Sequence, residues 1–162
     1  MDDALAPTEL AHLRRAIEVS IDARAHGNHP FGAILVTAGG RVLEAENTVL
    51  TDRDVTAHAE TNLVRLAWRE LDATELAAST LYTSCEPCAM CAGAMFWAGI
   101  GRMGYALSGR GLIALAESGE GGRELDLPSR EVFARGVPVL AVSGPHLEDE
   151  AAEPHRGFWG AG

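Results

Sequence analysis

Lysine is absent from this sequence: all 13 basic residues are arginines, against 23 acidic residues. The formal net charge is therefore −10 at pH 7. A protein that binds a phosphate backbone usually carries a stripe of positive charge, whereas these arginines are scattered along the chain. The charge pattern therefore disfavours a nucleic-acid partner.

Long apolar runs are also missing. No stretch approaches the roughly 20 consecutive apolar residues that a membrane-spanning helix needs, so we expect no membrane association. The first residues, Met1-Asp2-Asp3, are acidic and lack the basic and then apolar pattern of a secretory signal. We therefore expect the protein to reside in the cytoplasm.

Cysteine is scarce and confined to one place. Cys85, Cys88 and Cys91 are the three cysteines of the chain, and they lie within seven residues. An odd and tightly clustered set makes a poor disulfide framework. In a reducing compartment, such spacing favours metal ligation instead.

The chain has 162 residues, of which 47% are apolar, and we expect residues 1–162 to form a single domain with a hydrophobic core. Apolar residues recur at helical spacing in some segments and form short β-rich runs in others. The predicted helices are 8–26, 57–71, 88–98 and 112–117; the predicted strands are 33–37, 41–49, 80–83, 102–107 and 137–142; residues 51–56 and 120–127 are predicted loops. This order predicts a three-layer α/β/α domain with a mixed five-stranded sheet.

Two short motifs each stand at the start of a predicted helix. They are His58-Ala59-Glu60 and Pro87-Cys88-Ala89-Met90-Cys91. Cys88 and Cys91 are three residues apart, so both side chains leave the same side of the first helical turn. A helix N-terminus favours negative charge, which helps to keep thiols ionised. If the two helix starts converge, two sulfurs and the His58 imidazole form three corners of a zinc tetrahedron.

Three protein ligands leave the fourth position of the tetrahedron for water. Zinc lowers the pKa of such a water towards about 7. Glu60 lies two residues beyond His58 and is placed to move protons from that water to a heterocycle and to a departing amino group. We therefore predict one zinc ion per chain, with His58, Cys88 and Cys91 as ligands and Glu60 as the catalytic residue.

Other interpretations of the same residues remain open. A C-x-x-C pair alone is also found in redox sites. Cys85, Cys88, Cys91 and His58 together would form a closed structural zinc cage without a water. That arrangement would give Glu60 no role, and it would require Cys85 to turn onto the metal from a strand end.

Taken in this order, the motifs resemble those of the cytidine deaminase-like superfamily of zinc enzymes, over about residues 28–107. Three stretches look closest to bacterial guanine deaminases, namely HPFGA at 29–33, TAHAE at 56–60 and LYTSCEPCAMC at 81–91 continuing to GAMFWA at 93–98. The tRNA adenosine deaminases share much of this pattern. They usually carry a small aliphatic residue in place of Phe31, a histidine near Trp97 and a basic C-terminal helix.

The resemblance implies a set of substrate contacts. Asn47 would hydrogen-bond the edge of a base, and the backbone N–H of Ala59 would bind its carbonyl oxygen. Trp97 and Phe31 would form apolar walls. The plainer interpretations are that Asn47 merely ends a strand and that the two aromatic residues belong to the core.

The resemblance also implies a second acid after the next strand, which falls near Glu117 or Glu120, although a solvated surface carboxylate is the alternative for each. The C-terminal segment, residues 146–162, would cover an active site with Phe158 and Trp159, either in its own chain or in a partner. A homodimer is expected on the same ground. The alternative for the segment is a disordered end.

These expectations converge on hydrolytic deamination of a free nucleobase, with guanine as the first choice. Cytosine or an ammeline-type amino-triazine comes next, and tRNA adenosine comes behind both. A zinc-stabilised binding module without catalysis is the alternative from a different functional class.

Overall fold

The structure, a computed structural model, describes residues 5–116 and 123–160. The helices in these ranges are α1 (Pro7–Ala25), α2 (Val49–Asp52), α3 (Ala59–Glu70), α4 (Ala73–Ala77), α5 (Ala89–Ala98), α6 (Gly109–Ala116), α7 (Ser129–Phe133) and α8 (Glu148–Ala152), followed by a 3-10 turn at Glu153–His155. The strands are β1 (Gly32–Val36), β2 (Val42–Glu46), β3 (Thr80–Cys85), β4 (Arg102–Leu107) and β5 (Ala141–Ser143).

The five strands form one mixed sheet in the order β2-β1-β3-β4-β5. Strand β1 is antiparallel to both β2 and β3, whereas β3, β4 and β5 run parallel. Because parallel neighbours need crossover connections, α5 lies between β3 and β4 in the sequence. The predicted mixed five-stranded sheet is confirmed.

Alternate side chains of the sheet face two separate cores. Leu35 packs with Leu63 of α3 and Met95 of α5 on one face. Ile34, the preceding residue, packs with Leu13 of α1 on the other face. Helices therefore cover both faces of the sheet, which confirms the three-layer α/β/α prediction.

Helix α1 packs unusually close to the sheet at Gly32. A Cβ atom on this glycine would lie 2.5 Å from both the Ala16 carbonyl oxygen and the Ser20 nitrogen. A side chain is therefore excluded here, and the backbone of α1 presses directly on the start of β1. This contact fixes the segment just before β1, which contains Phe31.

Two predicted strands differ from the observed ones. Strand β2 stops at Glu46 instead of residue 49, because the Asn47 side-chain oxygen accepts a hydrogen bond from the Val49 N–H and turns the chain into α2. Part of the predicted 51–56 loop is consequently helical. The last strand begins at Ala141 instead of residue 137, and Pro138 has no N–H to pair with a neighbouring strand.

Helices α4, α7 and α8 were not predicted from the sequence. Each has five residues, which is too short to display a helical periodicity. Among the described residues, no helix is both long and apolar enough to cross a membrane.

Candidate zinc and proton-transfer site

Two helices begin at neighbouring places and bring the two sequence motifs together. His58 is the N-cap of α3 and Cys88 is the N-cap of α5, both in extended backbone conformation. The two helices pack against each other through the core on the same face of the sheet. Cys91 is the third residue of α5, and side chains at the N-cap and this third position lie close together.

The three potential ligand atoms form a nearly equilateral triangle. Cys88 Sγ lies 3.7 Å from both His58 Nδ1 and Cys91 Sγ, and Cys91 Sγ lies 3.5 Å from His58 Nδ1. Tetrahedral zinc with ordinary bond lengths would hold two sulfurs about 3.8 Å apart, and a sulfur and a nitrogen about 3.6 Å apart. The triangle therefore fits a zinc ion without rearrangement.

The pKa values of the three ligand groups depend on the contacts that these groups make with one another. The hydrogen bond between the two cysteines lowers the pKa of Cys88 to about 4. The same contact and burial raise the pKa of Cys91, while the hydrogen bond with Cys88 raises the pKa of His58. A divalent cation between the two sulfurs would favour the thiolate form of both.

Glu60 lies beside this triangle and is almost fully buried, with 4% of its surface exposed. Burial raises the pKa of its carboxyl group. Its Oε1 accepts a hydrogen bond of 2.6 Å from the Thr83 hydroxyl on β3, which opposes that rise. The carboxyl is close enough to Cys91 to raise the pKa of that thiol. The arrangement suits a group that takes up and releases a proton.

Cys85 ends β3 and is buried, with 2% of its surface exposed. Burial raises the pKa of its thiol well above the usual range. Within residues 5–116 and 123–160, the cluster able to hold a metal consists of His58, Cys88 and Cys91. Neither Cys85 nor Glu60 belongs to it, so the closed four-ligand cage gains no support.

A cavity of about 690 Å³ opens beside the triangle. His58 and Cys88 line it, and so do Glu86 and Trp159. The cavity lies where β3 and β4 end, and ligands bind at this edge of parallel strands in open α/β sheets. Its volume is within the range of small-molecule sites.

Comparison with known proteins agrees with this geometry. The family described as the cytidine and deoxycytidylate deaminase zinc-binding region matches residues 7–107. The chain belongs to this deaminase family. Its zinc requirement follows from that membership and from the fit of the triangle.

Individual relatives extend the match over most of the chain. A probable cytosine deaminase from Schizosaccharomyces pombe is 44% identical over 158 residues, covering 98% of this chain and 96% of the relative. A guanine deaminase from Bacillus subtilis is 38% identical over 136 residues, covering 81% and 83%. The solved guanine deaminase of Nitrosomonas europaea superposes with a TM-score of 0.78 at 25% identity, covering 96% of this chain and 85% of that one.

The residues predicted to contact the substrate lie in different parts of the fold. Asn47 is buried directly after β2, where its backbone N–H donates to the Phe31 carbonyl. Ala59 is the fully buried first residue of α3. Phe31 is half-buried and meets the Trp159 ring at a centroid distance of 6.1 Å. None of these three residues lines the cavity described above, and their substrate contacts stay predictions.

Trp97 does not line the cavity in its own chain, and its role as a wall residue stays a prediction. Its side chain is 82% exposed. It stands nine residues after Cys88, which places it about 13 Å along α5 from the zinc end. Its ring contacts Phe96 instead.

The C-terminal aromatic pair lies at the site of the same chain. Trp159 lines the cavity together with His58 and Cys88, and Phe158 packs edge-on against Trp159 with ring centroids 4.9 Å apart. Within the described part of segment 146–162, α8 and the 3-10 turn give the chain regular structure. Glu117 and Glu120, the predicted second acids, lie outside the described residues.

Glu86 is a residue that the motif search passed over. Its carboxylate accepts hydrogen bonds from the backbone N–H of Gly109 (3.0 Å), and from the backbone N–H (2.9 Å) and hydroxyl (2.8 Å) of Ser129. It thereby ties the loop before Cys88 to the starts of α6 and α7. In the sequence, Glu86 is marked only by its position between Cys85 and Pro87. That position does not reveal its hydrogen bonds with Gly109 and Ser129.

Replacement of Glu86 should weaken metal binding without touching a ligand. Glu86→Ala removes three hydrogen bonds that orient the loop before Cys88, so we expect zinc affinity to fall roughly 10- to 100-fold, as for other groups that support metal ligands. Competition with a chelating indicator measures this. Glu124→Ala, which removes an exposed carboxylate at the same cavity, is the matched control. An unchanged affinity in Glu86→Ala would contradict the assigned role.

Proposed function

We propose that this protein hydrolytically deaminates a free nucleobase or a related amino-heterocycle and releases ammonia, with guanine as the first candidate. The observation that carries the proposal is the His58, Cys88 and Cys91 triangle beside the buried Glu60 carboxyl. A structural zinc site has no use for a buried proton carrier at its side, whereas deamination requires one.

The chemistry divides between the metal and the chain. When bound, zinc supplies the Lewis acidity that makes water a nucleophile near neutral pH. Glu60 takes a proton from the attacking water and passes it to the ring nitrogen as the new C–O bond forms. Glu60 then takes the remaining proton of the former water from the new hydroxyl group and delivers it to the amino group, so that the C=O bond forms, the C–N bond breaks and neutral ammonia leaves. Thr83 holds the carboxyl in place through its hydroxyl.

Substrate recognition in this proposal uses two polar groups and two aromatic rings. The backbone N–H of Ala59 points from the start of α3, where helical N–H groups have no helical partner, and would bind the carbonyl oxygen of the base. Asn47 would bond the base edge through its amide. Phe31 and Trp159 supply flat apolar surfaces, and aromatic stacking stabilises a base by roughly 1–3 kcal/mol per contact.

Guanine and cytosine are the two substrates that the relatives favour. The guanine deaminases of Bacillus subtilis and Nitrosomonas europaea support guanine, and a cavity of about 690 Å³ has room for a two-ring base. The Schizosaccharomyces pombe relative, a probable cytosine deaminase that matches 98% of this chain, supports cytosine as the second candidate. The net charge of −10 argues against tRNA.

A homodimer also belongs to the proposal. Helix α5 carries apolar residues on its outer side as well as on its core side, with Met90 38% exposed and Trp97 82% exposed seven residues later. A helix that is apolar all round is usually covered, and a second copy of the chain would cover this side. A single domain over residues 1–162 and a cytoplasmic location stay predictions.

Loss of the proton carrier should stop the reaction and spare the metal. Glu60→Gln keeps an acceptor for the Thr83 hydroxyl but cannot exchange protons, so ammonia release should fall at least 100-fold. Zinc content, measured by mass spectrometry, should stay at one ion per chain. Glu124→Gln is the control for loss of a carboxylate near the cavity. Activity retained in Glu60→Gln would contradict the mechanism.

A substrate panel should separate the candidates. We expect guanine to give the highest kcat/KM and cytosine the next, with ammeline, adenine, guanosine and cytidine lower. Free bases should be preferred because the Trp159 ring closes one side of the cavity beside His58 and Cys88. Ammonia release with each compound is the measurement. A preference for a nucleoside would overturn the free-base proposal.

A further inference from the structure

The C-terminal segment contains a buried histidine that the proposed reaction does not use. His155 ends the 3-10 turn and has 2% of its surface exposed. Its Nδ1 accepts a hydrogen bond of 3.1 Å from the indole N–H of Trp159. The imidazole proton must therefore be on Nε2, which has no partner among the described residues.

The contacts of His155 orient the Trp159 ring. The imidazole and indole planes are nearly parallel, at an angle of 11° with centroids 6.1 Å apart. The Phe31 ring meets the His155 imidazole edge-on, with ring centroids 5.2 Å apart. Because the indole N–H is bonded to His155, the ring presents an apolar surface to the cavity that it shares with His58 and Cys88.

Arg24, in the last turn of α1, binds the same segment from the other side. One guanidinium nitrogen donates to the carbonyl oxygens of Pro154 and Arg156, both at 2.8 Å. The guanidinium carbon also lies 5.6 Å from the centroid of the Phe158 ring. Arg24 thus grips the backbone on both sides of His155 and touches the residue before Trp159.

We propose that His155 and Arg24 are positioning residues that hold the Trp159 ring in the wall of the cavity that His58 and Cys88 also line. Arg24 anchors the backbone to α1, and His155 fixes the rotation of the indole ring. The consequence for substrate, tighter binding of a flat base, rests on the proposed function. The consequence for metal access, slower exchange with solvent, does not.

The first test is the rate at which a coloured chelator removes zinc from the holoenzyme in the absence of substrate. His155→Phe keeps a flat ring but removes the acceptor, so extraction should become roughly tenfold faster, the effect of losing one buried hydrogen bond. His155→Asn places a carbonyl oxygen near the position of Nδ1 and should restore the slow rate. Equal rates in His155→Phe and the parent protein would overturn the proposal, as would His155→Asn behaving like His155→Phe.

A double-mutant cycle tests the bond itself. Trp159→Phe keeps an aromatic ring and loses the indole N–H, so it should accelerate extraction as His155→Phe does. The double variant should then be no faster than either single variant, because both remove the same interaction. Additive effects would contradict the assignment. If His155→Phe folds poorly, two other variants still test the hydrogen bond. His155→Asn keeps an acceptor for the indole N–H, and Trp159→Phe removes the donor.

Arg24 has a matched control in the same segment. Arg24→Ala should accelerate extraction, whereas Arg156→Ala, which loses only an exposed bond to Glu153, should not. If a base is turned over, the His155 and Arg24 variants should raise KM several-fold and leave kcat nearly unchanged. If a base is turned over but the His155 and Arg24 variants lose zinc at the parent rate, only this inference is refuted. If these variants lose zinc faster but no base is turned over, only the proposed function is refuted.

Discussion

Two helices start at the same edge of the sheet, and their first side chains must bring two sulfurs and an imidazole within 3.5–3.7 Å of one another. Two thiolates at that separation repel by about 1 kcal/mol in water and by several times more inside a protein. A cation between them removes this cost and converts it into attraction. The zinc ion is therefore the partner that the geometry of α3 and α5 requires, and the other features of the site are arranged around it.

Other parts of the chain support the zinc site in different ways. Glu86 fixes the loop that delivers Cys88, and Thr83 on β3 orients the Glu60 carboxyl. Because Glu60 is buried and its pKa is raised, it binds a proton more strongly than a carboxylate in water does, which suits the acceptor of a proton from water. The C-terminal segment adds an apolar cover through Trp159. Metal binding, proton transfer and exclusion of solvent thus come from three separate parts of the chain.

The sequence predicted those features that local spacing determines. The His58 and Cys88 helix starts depend on short motifs, and the fold prediction followed from strands and helices long enough to show periodicity. Contacts between distant segments were beyond such reasoning: the hydrogen bonds from Arg24 to the C-terminal segment depend on how α1 meets residues 130 and 132 positions away. Trp97 shows the same limit, since a motif next to a site does not reveal which side of the helix faces the cavity of its own chain.

X-ray absorption at the zinc edge of the purified protein tests the open three-ligand site most directly. We expect two sulfur ligands at about 2.3 Å and two nitrogen or oxygen ligands at about 2.0 Å, one from His58 and one from solvent. A shell with three sulfurs would bring Cys85 onto the metal and restore the closed structural cage. That result would leave water without a position and would contradict the deaminase mechanism proposed for Glu60.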